Sequence, residues 1–129
     1  MSLPPAAIRV LVASADETVR NLVWIALAGG NYDVTEVADA TAAIRAVASA
    51  VPAVAILDQA LPDVGGLAAA RALHGQDATA GIRVVLLGDL ADPVPGERLQ
   101  AAGVDAVVLR PFDAFGLLDA VEGQLAAVR

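Results

Sequence analysis

Asp58 ends an apolar run, Val54-Ala55-Ile56-Leu57, and is followed at once by Gln59-Ala60 and the turn-rich loop Leu61-Pro62-Asp63-Val64-Gly65-Gly66. A carboxylate at the carboxyl end of a buried strand is costly to desolvate, so it is expected to have a task there. In open α/β sheets that end is where ligand sites form. The other reactive side chains are sparse. His74 is the single histidine, beside Gly75 with no second ligand near it in sequence, and is expected to cap a helix or face solvent. Ser14 has no histidine or lysine placed to activate it as a nucleophile. Gly29-Gly30 and Gly65-Gly66 lack the spacing of a phosphate-binding loop and read as turns. Without cysteine there is neither a disulfide framework nor a thiolate metal site, which suits the cytoplasm.

The elements that must position Asp58 follow from the alternation of short β-like runs with longer helical ones. Strands are expected over Ile8–Ala13, Asp33–Val37, Val54–Leu57, Arg83–Leu87 and Ala106–Leu109. Helices are expected over Asp16–Ala28, Ala40–Ser49, Leu67–Leu73, Glu97–Ala102 and from Asp113 to about Ala127. Asp16 or Ser14 can cap the first, Gly29-Gly30 stop it, and Val51-Pro52 end the second. Asp92-Pro93-Val94-Pro95-Gly96 is poor helix material, so the fourth helix is expected to be short. Five βα units with near-continuous apolar strands imply a parallel sheet covered on both faces, doubly wound by right-handed crossovers.

The chain of 129 residues reads as one α/β domain over residues 8–129, after an N-terminus (1–7) that is disordered or cloning-derived. That start lacks the basic, long apolar pattern of a signal peptide, and no apolar run approaches the roughly 20 residues of a spanning helix. A net charge of -7 with scattered basic residues excludes a DNA-binding face of the usual kind.

Four stretches, in this order and spacing, carry a resemblance: Arg9-Val10-Leu11-Val12, Ile56-Leu57-Asp58-Gln59-Ala60-Leu61-Pro62-Asp63-Val64-Gly65-Gly66-Leu67, Ala101-Ala102-Gly103-Val104-Asp105 and Arg110-Pro111-Phe112-Asp113. From Ile8 onward the chain resembles the CheY-like receiver domain of bacterial response regulators. The resemblance implies a five-stranded sheet of order 2-1-3-4-5 in a three-layer sandwich. It makes Asp58 the position that accepts a phosphoryl group from a histidine kinase. It also implies an acidic pair holding Mg²⁺ after strand 1, where this chain has Ser14 and Ala15. A Thr or Ser after strand 4 is Gly88 here, the lysine before a proline is Arg110 before Pro111, and the aromatic switch residue of strand 5 is Val107.

These departures set the functional expectation. Ser14 is neutral and Ala15 offers no ligand, so no metal is expected unless Asp16 or Asp89 compensates for the lost pair. Gly88 removes a hydroxyl that would bind a phosphoryl oxygen. The planar fork of Arg110 suits a bidentate pair with Asp58, which would hold the pocket closed without modification.

On the register that buries Val19, Leu22, Val23 and Ala26, Trp24 and Ile25 turn outward, as does Phe115 at the start of the last helix. The three mark a possible interface, with packing of Trp24 against the last helix as the other reading. The expected function is a non-enzymatic receiver acting as a phosphorylation-independent interaction or regulatory module. A working receiver phosphorylated at Asp58, or a small-molecule sensor using the altered pocket, are the alternatives. Expected partners are a histidine kinase, an output domain, another regulator or a second copy, with neither nucleic acid nor membrane.

Overall fold

A computed structural model describes residues 6–127. The chain alternates β1 (Ile8–Ala13), α1 (Glu17–Leu27), β2 (Tyr32–Val37), α2 (Ala40–Ser49), β3 (Val54–Asp58), α3 (Gly65–His74), β4 (Arg83–Gly88), α4 (Gly96–Ala101), β5 (Ala106–Leu109) and α5 (Ala114–Ala127). All strands pair in parallel, in the order β2-β1-β3-β4-β5. Topology and element order agree with the sequence reading.

Alternation along the strands divides the core. Leu11, Leu57, Val84 and Leu86 face one way with Ala43, Val47 and Leu73 of α2 and α3. Val10, Val12, Val54, Ile56, Val85 and Leu87 face the other, against Val19, Val23 and Leu27 of α1 and Leu117 and Val121 of α5. Because the period is 2, strand register fixes which residues meet beyond the strand ends. Val12 pairs with Ile56, so one pleat on, Ser14 and Asp58 lie side by side on the α1/α5 face. Gly88 pairs with Leu109, and Arg110 continues the face of Val108, which packs with that same layer.

Local chemistry sets the ends of the elements. Asp16 accepts Thr18 N at 2.9 Å and caps α1, and Asp39 accepts Ala42 N at 2.7 Å and caps α2. α3 starts at Gly65, two residues ahead of the expected start, because Gly66 lets the helix lie against β3. A Cβ at position 66 would collide with the backbone oxygen of Asp58. β3 and β4 each run one residue past their expected ends, to Asp58 and Gly88. Asp63 sits at φ 78, where its carboxylate accepts from Thr41 Oγ1 at 2.8 Å and so ties the loop after β3 to α2.

His74 does more than cap or face solvent. Its ring is partly buried, with Nε2 2.9 Å from Ile82 O and Nδ1 3.3 Å from Ala102 O, bridging the end of α3 to the residues before β4 and after α4. Gly103, at φ +77, leaves the room: a Cβ there would overlap the ring.

Candidate functional site

Asp58 is 4% exposed and has a donor at each oxygen. Oδ2 accepts Ser14 Oγ at 2.8 Å and Arg110 Nη2 at 3.1 Å, and Oδ1 accepts Ala60 N at 3.0 Å. Three donors, one of them charged, offset the loss of water around a buried carboxylate. Arg110 reaches across β4 from the end of β5 and lies with Cζ 5.3 Å from the ring centroid of Phe112.

The Arg110–Asp58 pair therefore exists, but it is single-pronged rather than bidentate. Ser14 already shares Oδ2, and Oδ1 is turned to the backbone of its own loop. Ser14, fully buried, is an integral part of the cluster: its hydroxyl donates to Asp58 and accepts Asp16 N at 3.1 Å, while its backbone oxygen accepts Arg20 Nη1 at 2.7 Å. Ala15 is exposed beside it. From the sequence Ser14 reads as a possible helix cap and as the replacement of a metal-ligating acid, not as a donor to Asp58; the shared parity of Ser14 and Asp58 beyond β1 and β3 is the signal that points to the contact.

Behind this cluster, on the α3/α4 side of the sheet, the same strand ends are apolar. Gly88, Leu86, Val107 and Leu109 line a cavity of about 210 Å³ with Leu90, Val94 and Leu99 of the β4–α4 segment. No large side chain from position 88 or 107 fills it. A smaller cavity of about 110 Å³ lies against Asp58 and Arg110 and is also lined by Asp89 and Asp92.

The remaining site candidates fall outside the cluster. Asp16 spends its carboxylate on the α1 cap, and Asp89 Oδ1 accepts Ala91 N at 2.9 Å in its own turn. Trp24 and Ile25 are 55% and 60% exposed on α1, so the indole does not pack away against α5. Phe115 is 80% exposed in the first turn of α5, behind the cap that Asp113 makes to Gly116 N at 2.8 Å.

A five-stranded doubly wound sheet with an aspartate at the end of its central strand and a cation before a proline at the end of β5 defines a receiver-type signalling domain. The chain belongs to the response regulator receiver domain family, whose pattern matches residues 10–122. It is 29% identical over 117 residues to the DNA-binding response regulator MtrA of Mycobacterium tuberculosis, covering 91% of this chain and 50% of MtrA. It is 31% identical over 124 residues to the DNA-binding dual master transcriptional regulator RpaA of Synechocystis, covering 94% of this chain and 47% of RpaA. The chain thus spans about half the length of these relatives. Among solved structures, it superposes on the receiver domain of a histidine kinase from Syntrophus aciditrophicus with a TM-score of 0.85 at 27% identity, covering 95% of this chain and 93% of that one. Chemotaxis response regulator CheY4 of Vibrio cholerae gives 0.85 at 22% identity, over 92% and 99% of the two chains, and shares the fold.

The Mg²⁺ that the family implies does not fit the residues present. Mg²⁺ needs near-octahedral oxygen ligands, normally with one or two carboxylates to hold it. Position 14 supplies a hydroxyl committed to Asp58, position 15 supplies a methyl group, and Asp16 faces its helix. Among the described residues no group of three or more His, Cys, Asp or Glu is placed to hold a metal. Among them, too, no helix is long and apolar enough to cross a membrane.

Proposed function

We propose that this chain is a receiver domain that signals through protein contacts, without phosphoryl transfer to Asp58. The observation that carries the reading is the self-sufficient cluster of Ser14, Asp58, Ala60 and Arg110. A phosphoryl acceptor needs its attacking oxygen free and the incoming negative charge neutralised, mostly by a bound metal and a cation. Here Oδ2 carries both Ser14 and Arg110, and the acidic pair is absent. Arg110 neutralises the resident carboxylate instead of an incoming group. The pocket is held together by its own side chains.

The domain then acts as a fixed interaction module, not an enzyme. Its partners are proteins of two-component signalling in the cytoplasm: a histidine kinase, an output domain, another regulator or a second copy. The exposed Trp24 and Ile25 on α1 and Phe115 on α5 are apolar anchors of the kind that interfaces concentrate. Any DNA contact belongs to segments outside these residues, since the net charge of -7 opposes phosphate binding.

Incubation with acetyl phosphate and Mg²⁺, followed by intact mass spectrometry, tests the reading. The expected result is an unmodified mass; a phosphoryl adduct lost on Asp58→Asn would overturn it.

A further inference from the structure

Gln59 follows Asp58 but points to the opposite side of the sheet, where its side chain ties the end of β3 to the loop after β4. Its Nε2 donates to Asp92 O at 2.7 Å and lies 3.3 Å from Asp92 Oδ2. The residue is anchored at both backbone groups, N–H on Leu87 O at 3.0 Å and O accepting Gly66 N at 3.1 Å. The loop itself is otherwise shaped by its own turns: Asp92 N on Asp89 O at 3.1 Å and Ala91 N on Asp89 Oδ1 at 2.9 Å.

Gln59 and Asp89 are also the shared wall of the two cavities. On one side lie Asp58, Arg110 and Asp92; on the other, the apolar space under Leu90, Val107 and Leu109. Position 88 decides whether the glutamine fits. A Cβ there would stand 3.3 Å from Gln59 Oε1 and 3.2 Å from Val107 Cγ1 and Leu109 Cδ2, closer than ordinary van der Waals contact. The amide of Gln59 thus occupies ground that a side chain at 88 would claim.

We infer that Gln59, seated in the space Gly88 leaves, is a latch that couples the Asp58 cluster to the β4–α4 loop and so to the mouth of the apolar cavity. The physical link is charge. Asp58, Asp89 and Asp92 line one small cavity with Arg110 as the cation among them. Drawing Arg110 away leaves these carboxylates around one cavity without their cation, and the Gln59–Asp92 bond is then the restraint that holds the loop in place. Linkage makes the coupling reciprocal, so a partner that lifts Leu90 and the loop also loosens the Asp58 cluster. The inference does not depend on whether Asp58 accepts a phosphoryl group.

Amide hydrogen exchange on the full chain, without metal or phosphoryl donor, tests it separately from the phosphorylation reading. The reporters are the amides of Ala91 and Asp92, with strand amides of β1 and β3 as controls for folding. Gln59→Leu removes the donor and is expected to speed the reporters about fivefold, the factor one hydrogen bond of ordinary strength supplies. Gly88→Thr, which leaves the glutamine in the chain but displaces its amide, is expected to do the same. Arg110→Gln is expected to speed them in the parent chain and to add little once Gln59 is leucine, since interacting residues are non-additive. Unchanged reporters in both Gln59→Leu and Gly88→Thr, with control amides still protected, would overturn the latch. So would effects of Arg110→Gln and Gln59→Leu that simply multiply.

Discussion

The two faces of the sheet meet differently at its carboxyl end. On the α1/α5 face the strand ends carry Ser14, Asp58 and Arg110, bonded to one another and closed to solvent at Ser14 and Asp58. On the α3/α4 face the same strands carry Gly88, Val107 and Leu109 around a space of about 210 Å³. Where the family pattern has an acid or a lysine, the first face has a hydroxyl or a guanidinium that still bonds Asp58. Where it has a hydroxyl or an aromatic ring, the second face has only small or aliphatic groups, and a hollow remains. The carboxylate on the first face is thus held by its neighbours, while the second face leaves its space unfilled.

Breaking the polar face is expected to have the largest effect. Asp58→Ala leaves the Ser14 hydroxyl and Ala60 N–H without their acceptor, while Arg110 can turn to water; urea unfolding is expected to show a loss of about 2 kcal/mol. A loss below about 0.5 kcal/mol would mean the cluster contributes nothing to the fold. Ser14→Ala removes one donor and keeps the charge pair, and is expected to lose about 1 kcal/mol by the same measurement. On the other face, Val107→Phe adds apolar surface to a cavity that has room for it, so a gain of about 0.5–1 kcal/mol is expected. Destabilisation by more than that amount would show the space to be closed to a ring. The smallest effect belongs to the outer surface. Trp24→Ser is expected to change stability by less than about 0.5 kcal/mol, whereas an indole with a core role would lose several times as much.

Much of this was legible in the residues. β1, α2 and β5 have the expected ends because their signals are local: β-branched runs for the strands and the Val51-Pro52 stop for the helix. Asp58 stood out because a charge ending an apolar run is itself a local signal. Ser14 did not, because a neutral hydroxyl looks alike in a core or in a turn, and its contact depends on a β1–β3 register formed 44 residues apart. The single-pronged geometry of Arg110 was hidden for the same reason, since it follows from Ser14 sharing the oxygen. Gln59 carries no signal of its own in the sequence; its fit depends on a missing Cβ at Gly88, which no local pattern expresses. His74 likewise took its role from Gly103 and two distant carbonyls.

The central claim, that the Asp58 cluster is closed by its own side chains, is tested most directly by amide chemical shifts during a Mg²⁺ titration followed by beryllofluoride. The account predicts no saturable change at the amides of Ser14, Asp58, Gln59, Ala60 and Arg110 at millimolar metal, and no further change on adding beryllofluoride. Saturable shifts at those residues, enlarged by beryllofluoride and abolished by Asp58→Asn, would contradict it.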